Sequence, residues 1–361
     1  MAITIKKVEK TSVSALALLK QFQKDMGEGA GVMGNIMTQA DRIPTGLFEL
    51  DTALAGGLPK GKVIMIYGPE SSNKTNIALR AIAMHQLLWP KDVCVFVDLE
   101  NEYNAEWAAK LGVNTEKLIV LKPAFAEQAV DMVEAMVLAD DVGLVVMDSL
   151  AALVGTAELD KSAEGENPGA AGRIAGKLYR KTIAAFTEAE KRGRFPTLIY
   201  INQISYKIGV THGNPETTPA GKKPWFQSAL VLRVYGSNVM DSKISKAMPV
   251  RKEVNFLVKK FKVPILAASG KFEMATIPHG GLEVGQCNDA NTIKSYLESF
   301  GEFNKHEKKG WVIWGEHYDL QTQWKDRLYG DKPYGAKVRK FVVDTLMAGG
   351  ELLEEGGSNG G

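Results

Sequence analysis

Residues 68 to 75 read GPESSNKT, one position away from the loop Gly-x-x-x-x-Gly-Lys-Ser/Thr that holds nucleotide phosphates. Such a loop wraps phosphates with backbone N–H groups at a helix N-terminus, reaches the terminal phosphates with its lysine and holds magnesium with its hydroxyl. Lys74 and Thr75 supply the last two groups. The departure is Asn73, which stands where the pattern has glycine. Glycine allows close backbone approach and a positive φ. Asparagine is the next most tolerant residue for a left-handed conformation, so the loop can survive the change. The competing reading is a turn that only resembles the motif.

A phosphate loop needs partners, and three other segments offer them. GLVVMD (143–148) ends an apolar run with Asp148, where a nucleotide site needs a carboxylate to hold the metal through water, although an acid there can also be a helix cap. VCVFVDLENEY (93–103) supplies Asp98, Glu100 and Glu102. Of these Glu100 is the choice for orienting and polarising an attacking water, against a solvated acidic turn. TLIYINQI (197–204) ends in Asn202 and Gln203, amides able to bond to a γ-phosphate or to that water. The chain then enters ISYKIGVTHGNPETTPAGKKP (204–224), dense in Gly, Pro and Thr and without periodicity. Unstructured stretches of that length inside a domain are usually functional or disordered. Just upstream, GRIAGKLYRK (172–181) puts Arg173, Lys177, Arg180 and Lys181 on one helical face, readable as a solvated face or as a row that neutralises phosphates.

The elements that must position these residues form a strand and helix alternation from about residue 44. KVIMIY (62–67), VCVFVDL (93–99), KLIVL (117–121), GLVVMD and TLIYIN are apolar on both faces, as buried parallel strands are. ALVLRVYG (229–236), EVNFLVKKFKV (253–263) and GKFEMATI (270–277) alternate more cleanly and read as an antiparallel extension. A short amphipathic helix with a docking face is expected over 12–26. Three segments follow: 1–36 as an N-terminal docking segment, 37–279 as the core, and 280–361 as a small α+β C-terminal domain with a Gly-rich acidic tail.

Bulk composition sets limits. With 45% hydrophobic and 24% charged residues the 361-residue chain is an ordinary globular one, and its formal net charge of +2 means that any nucleic-acid affinity must come from local clusters. Two cysteines make neither a disulfide framework nor a metal site, and Cys94 sits in an apolar run as a small hydrophobe. The N-terminus lacks a secretory pattern and no run approaches the roughly 18 apolar residues of a membrane span. No membrane partner and a reducing, cytoplasmic setting are expected.

RIPTGLFELDTALAGGLPKGKVIMIYGPESSNKT, VVMDSLAAL, INQISYKIGV and GNPETT resemble the bacterial RecA recombinase family, from about residue 12 to 277. The resemblance implies a RecA-like ATPase core with a mostly parallel sheet. It also implies an ATP- and Mg2+-dependent homo-oligomeric filament on single-stranded DNA, which pairs with homologous duplex and exchanges strands. By position, Gly68, Pro69, Glu70, Ser71, Ser72, Asn73, Lys74 and Thr75 match the phosphate loop. Thr75 and Asp148 match the metal residues, Glu100 the catalytic base and Gln203 the γ-phosphate switch, while Asn104 and Trp107 match the positions that recognise and stack on adenine. Lys260 and Lys262 match a pair that reaches a neighbouring subunit's ATP, and Phe226 an aromatic of the subunit interface. The DNA loops fall at 160–169 and 204–222. Arg173, Gly176 and Arg180 match backbone-contacting positions, Ile208 a wedge between base triplets, and Lys207, Gly221 and Lys222 belong to the same DNA-binding set.

The chain departs from the family at Asn73, Pro168, His212 and Ala220, the last in place of one of two glycines. Phage-encoded relatives such as the UvsX group also lack the loop glycine, so the expected setting is the cytoplasm of a bacterium or of an infected host cell. Two alternatives are weighed: a hexameric helicase-like ATPase, which needs a further domain, and a recombination mediator that binds ATP but scarcely hydrolyses it. Glu100 argues against the second.

Overall fold

The computed structural model describes residues 41–159, 170–206, 216–306 and 309–356, together with Ala17, Lys20, Gln21 and Lys24. In chain order, β1 (Arg42–Ile43) pairs with β2 (Leu58–Pro59), and the strands of the central sheet begin with β3 (Val63–Gly68), β4 (Val93–Asp98), β5 (Leu118–Leu121), β6 (Val142–Asp148) and β7 (Thr197–Gln203). A small ladder joins β8 (Ser205–Tyr206) to β9 (Glu216–Thr217); β10 (Leu230–Val239), β11 (Arg251–Phe261) and β12 (Ser269–Ala275) complete the sheet. Its order is β12-β11-β10-β3-β7-β6-β4-β5, six parallel strands followed at one edge by two antiparallel ones.

The helices α1 (Phe48–Ala53), α2 (Lys74–Leu88), α3 (Ala105–Lys110), α4 (Ala126–Leu138), α5 (Leu150–Leu159), α6 (Ala170–Lys191) and α7 (Lys222–Gln227) accompany these strands. Alternation along each strand divides the core in two. Ile64, Ile66, Phe96 and Ile199 face the α2 side, against Ile77, Ala78, Ala81 and Ile82. Met65, Val95, Val145 and Leu198 face the other, against Val130, Val133 and Val137 of α4 and Ile174 and Leu178 of α6. Burying each such Val, Leu or Ile is worth about 1.5–3 kcal/mol, and a one-residue slip would exchange the faces, so the register is firmly set.

One expectation is corrected. The run at 229–236 is not part of the antiparallel extension: β10 lies parallel to β3, from Leu230 opposite Ile64 to Arg233 opposite Tyr67, and antiparallel pairing begins on its other side with β11. Leu230, Val231, Leu232 and Val234 are buried like any central strand, and exposure begins only at Tyr235. The edge character seen in the sequence belongs to the second half of the strand.

Beyond β12, α8 (Ala290–Ser299), a three-stranded antiparallel sheet of β13 (Phe303–Lys305), β14 (Trp311–Ile313) and β15 (Glu316–Tyr318), α9 (Gln321–Gly330) and α10 (Lys332–Gly356) surround a third apolar cluster. Phe48 and Ala275 join that cluster from the core side. Thr292 donates to Glu49 at 3.0 Å, Arg80 donates to the Gly285 carbonyl at 3.0 Å, and Arg339 clamps Asp289 with two bonds of 2.6 and 2.8 Å. Burial, and then the charge of Asp289, pushes the Glu49 carboxyl up to about 7. The architecture is α/β with a mostly parallel sheet and a small α+β C-terminal part. Ala17, Lys20, Gln21 and Lys24 are helical, and the rest of the docking helix expected at 12–26 lies outside the described residues. Among the described residues no helix is long and apolar enough to cross a membrane.

Candidate functional site

Parallel sheets gather their loops at the carboxyl ends of the strands, and here β3, β7, β6 and β4 are consecutive neighbours. Their registers align Gly68 with Gln203 and Asp98 with Asp148, so one chemical group follows each strand at the same level. A cavity of about 480 Å³ lies there, lined by residues 70–76 together with Glu100, Glu102, Asp148, Gln203 and Lys252.

At Gly68 a Cβ would collide with the Val234 carbonyl oxygen, so the loop must start with glycine. Asn73 adopts φ 73°, ψ 17°, the left-handed conformation that asparagine tolerates, and is the residue on which α2 begins. Lys74 is buried and donates to the carbonyls of Pro69 at 2.6 Å and Gly68 at 3.2 Å. Burial lowers its pKa, while the nearby Asp148 and Glu100 oppose that shift. Thr75 Oγ1 donates to Asp148 Oδ2 at 2.6 Å. Burial pushes the Asp148 carboxyl up to about 6; the Thr75 bond opposes this and Glu100 adds to it.

Glu100 Oε1 accepts from Gln203 Nε2 at 3.2 Å and from the Ser149 hydroxyl, which joins the ends of β4, β6 and β7. Asp98 is spent differently, accepting from the backbone N–H of Glu102 and Tyr103 at 3.2 and 3.1 Å. Asn202 does not face the cavity: it is fully buried and its amide donates to the Pro219 carbonyl at 3.1 Å, so only Gln203 of that pair lines the site. Asn104 caps α3 through a 2.8 Å bond from Trp107 N, and the Trp107 indole N–H donates to Asn76 Oδ1 at 2.8 Å.

Two lining residues escape sequence reasoning. Asn76 follows the motif with no pattern of its own. Lys252, whose Nζ donates to the Ser71 carbonyl in the loop, comes from β11 and lies 181 residues away in sequence. Nothing local marks it among the other lysines of that strand.

Lys260 and Lys262 lie outside this cavity. Lys260 Nζ donates to the carbonyls of Trp225 and Phe226 at 2.7 and 2.9 Å, beside a Phe226 side chain that is 61% exposed. Lys262 lines a separate groove with Phe186 and Phe195. The basic row on α6 divides. Lys177 and Lys181 each lie 3.2 Å from Asp131, and Lys181 also bonds Glu134, so these two hold α6 to α4; Arg173 and Arg180 are exposed. Lys223 Nζ donates to the Gly172 carbonyl at 3.3 Å, which sets the start of α7, with Gly221 and Lys222, beside the buried Gly176. Ala220 and Gly221 both have positive φ, at 64° and 67°. Lys207, Ile208, Pro168, His212 and the segment 160–169 lie outside the described residues. The second loop has a defined base, because β8 pairs with β9 and Glu216 of β9 is held to Arg233 of β10 by bonds of 2.9 and 3.0 Å.

Thr75 and Asp148 offer hard oxygen donors, the type magnesium takes, and magnesium needs only one or two protein ligands beside phosphates and water. The described residues hold no cluster of three or more His, Cys, Asp or Glu side chains that would bind a metal without a substrate.

The family model for the RecA N-terminal domain matches residues 14–275. The chain belongs to the RecA family. It is 36% identical to the RecA protein of Bacillus subtilis over 290 residues, covering 78% of this chain and 81% of that one. Against a RecA protein of Thermus thermophilus the identity is 37% over 253 residues, 69% of this chain and 72% of that one. A solved RadB recombinase aligns in three dimensions with a TM-score of 0.46 and 17% identity, over 64% of this chain and 96% of that one.

Proposed function

We propose that this chain is an ATP-dependent recombinase that forms filaments on single-stranded DNA, pairs it with homologous duplex and exchanges strands, hydrolysing ATP as it does so. The observation that carries the reading is the bond from Gln203 to Glu100. Gln203 is the last residue of β7 before the second loop, so one amide touches both the proposed base and the segment that would grip DNA.

In this reading the 68–75 loop binds the triphosphate of ATP, Lys74 leaves the Pro69 and Gly68 carbonyls for the phosphates, and Glu100 holds the attacking water and takes its proton. Thr75 and Asp148 would hold magnesium, which would supply charge neutralisation on the phosphates. Asn104 and Trp107 flank the adenine. Gln203 senses the terminal phosphate and passes its presence to 204–222, while Arg173, Gly176, Arg180, Lys207, Ile208, Gly221 and Lys222 meet DNA. Lys260 and Lys262 serve the ATP of the next subunit, a role supported by their distance from their own cavity and by the exposed Phe226 beside Lys260. We assign 1–36 to docking on the neighbour, 37–279 to the ATPase and DNA-binding core and 280–361 to the C-terminal domain. Two buried free cysteines suit work in a reducing cytoplasm.

The test is phosphate release from ATP with and without single-stranded DNA. Stimulation that disappears in Gln203→Ala while ATP affinity stays near the parental value supports the reading. Hydrolysis indifferent to DNA in the parent contradicts it.

A further inference from the structure

The phosphate loop lacks the glycine its turn calls for, yet the turn is left-handed at that position. A chain of side-chain bonds reaches that residue. Trp107 Nε1 donates to Asn76 Oδ1 at 2.8 Å, and Asn76 Nδ2 donates to Asn73 Oδ1 at 3.1 Å. The indole N–H can only donate, so the Asn76 atom facing it must be oxygen and the atom facing Asn73 must be nitrogen. The same logic fixes the Asn73 amide, presenting Oδ1 to Asn76. Its remaining Nδ2 is buried with no acceptor among the described residues, so the side chain is held at Oδ1. Asn73 is only 8% exposed, and the bond to Asn76 spans Lys74 and Thr75, the two residues that carry the loop's chemistry.

We propose that Trp107, through Asn76, is a positioning residue for the phosphate loop: the relay Trp107–Asn76–Asn73 holds Asn73 left-handed in place of the missing glycine. It rests on the reading of this cavity as a nucleotide site. It also gives Trp107 a second task, independent of the base that its ring flanks. Occupancy at the base side and the shape of the phosphate loop are then linked through one indole N–H.

A ligand without a base separates the two tasks. Binding of magnesium tripolyphosphate and of magnesium ATP is measured by calorimetry on the parent, Trp107→Phe, Asn76→Ala and Asn73→Gly, and on Asn73→Gly combined with each of the first two. Phenylalanine keeps an aromatic ring but has no N–H, and Asn76→Ala breaks the relay with the indole intact, so each checks the other should one fold poorly. Asparagine takes a left-handed conformation readily where its short side chain is hydrogen-bonded locally, so losing that bond should weaken the loop by up to about tenfold. Trp107→Phe and Asn76→Ala should each lose about that much tripolyphosphate affinity. In the Asn73→Gly background both losses should shrink below about twofold, because glycine needs no restraint. A merely structural defect would persist there. Parental tripolyphosphate affinity in Trp107→Phe and Asn76→Ala, or equal losses in both backgrounds, overturns the relay alone. A parent that binds neither ligand overturns the nucleotide reading, and the relay falls with it.

Discussion

Glu100→Gln removes the proposed base and little else. Glu100 Oε1 is an acceptor for Gln203 Nε2 at 3.2 Å and for the Ser149 hydroxyl, and a glutamine carbonyl can accept both, so the geometry that joins β4, β6 and β7 survives. What disappears is the group that takes a proton from water, which is worth about 100- to 10,000-fold in rate, or about 2.7–5.4 kcal/mol of barrier. The charge on Glu100 is also one cause of the raised Asp148 pKa. Its loss lets Asp148 ionise more readily, so ATP binding with magnesium should hold or tighten. Single-turnover phosphate release and calorimetric ATP affinity, measured together with DNA present, check both halves. A parental hydrolysis rate would show that Glu100 is not the base, and a collapse of both rate and affinity would show that its role is to hold the site together.

Three further outcomes follow from particular contacts. Lys252→Met takes a cation away from the 68–75 loop at Ser71, and ATP affinity should fall by about five- to tenfold with a smaller effect on AMP; unchanged ATP affinity would make Lys252 an ordinary half-buried lysine of β11. Arg173→Ala with Arg180→Ala should weaken single-strand binding about equally on all sequences and reduce the salt slope by about 1.4 units, two contacts at about 0.7 each. An unchanged slope would make that face a solvated one. Glu49 has a folded pKa of about 7 against an ordinary 4.5, so the folded chain binds the proton more tightly. Its contribution to stability is therefore full below about pH 4.5 and is lost as pH rises through 7. Glu49→Gln, which keeps an acceptor for Thr292, should raise the thermal midpoint at pH 8, by a stabilisation of about 1–2 kcal/mol, and much less at pH 5. Equal shifts at both pH values would refute the assignment.

The proposed nucleotide half of the site is legible in the sequence because its residues lie at or just beyond strand ends, where sequence pattern and sheet geometry coincide. Lys74, Thr75, Glu100, Asp148 and Gln203 each follow an apolar run, and parallel pairing brings those runs side by side. The sense of β10 is not legible, since a strand with one buried and one exposed half carries two patterns at once. Lys252 and the Trp107–Asn76–Asn73 relay are hidden because they depend on distance in space between segments with no shared periodicity. The basic face looks larger in sequence than in space: spacing puts four cations on α6, but spacing says nothing of the acids on α4 that engage Lys177 and Lys181.

The central claim is that ATP bound in this cavity assembles the chain on DNA. The measurement is negative-stain microscopy of the purified protein with single-stranded DNA and magnesium, comparing ATP with ADP and the parent with Lys74→Ala. The account predicts open helical filaments for the parent with ATP, shorter or absent ones with ADP, and none for Lys74→Ala. Closed rings with ATP, or filaments in Lys74→Ala equal to those of the parent, would contradict it.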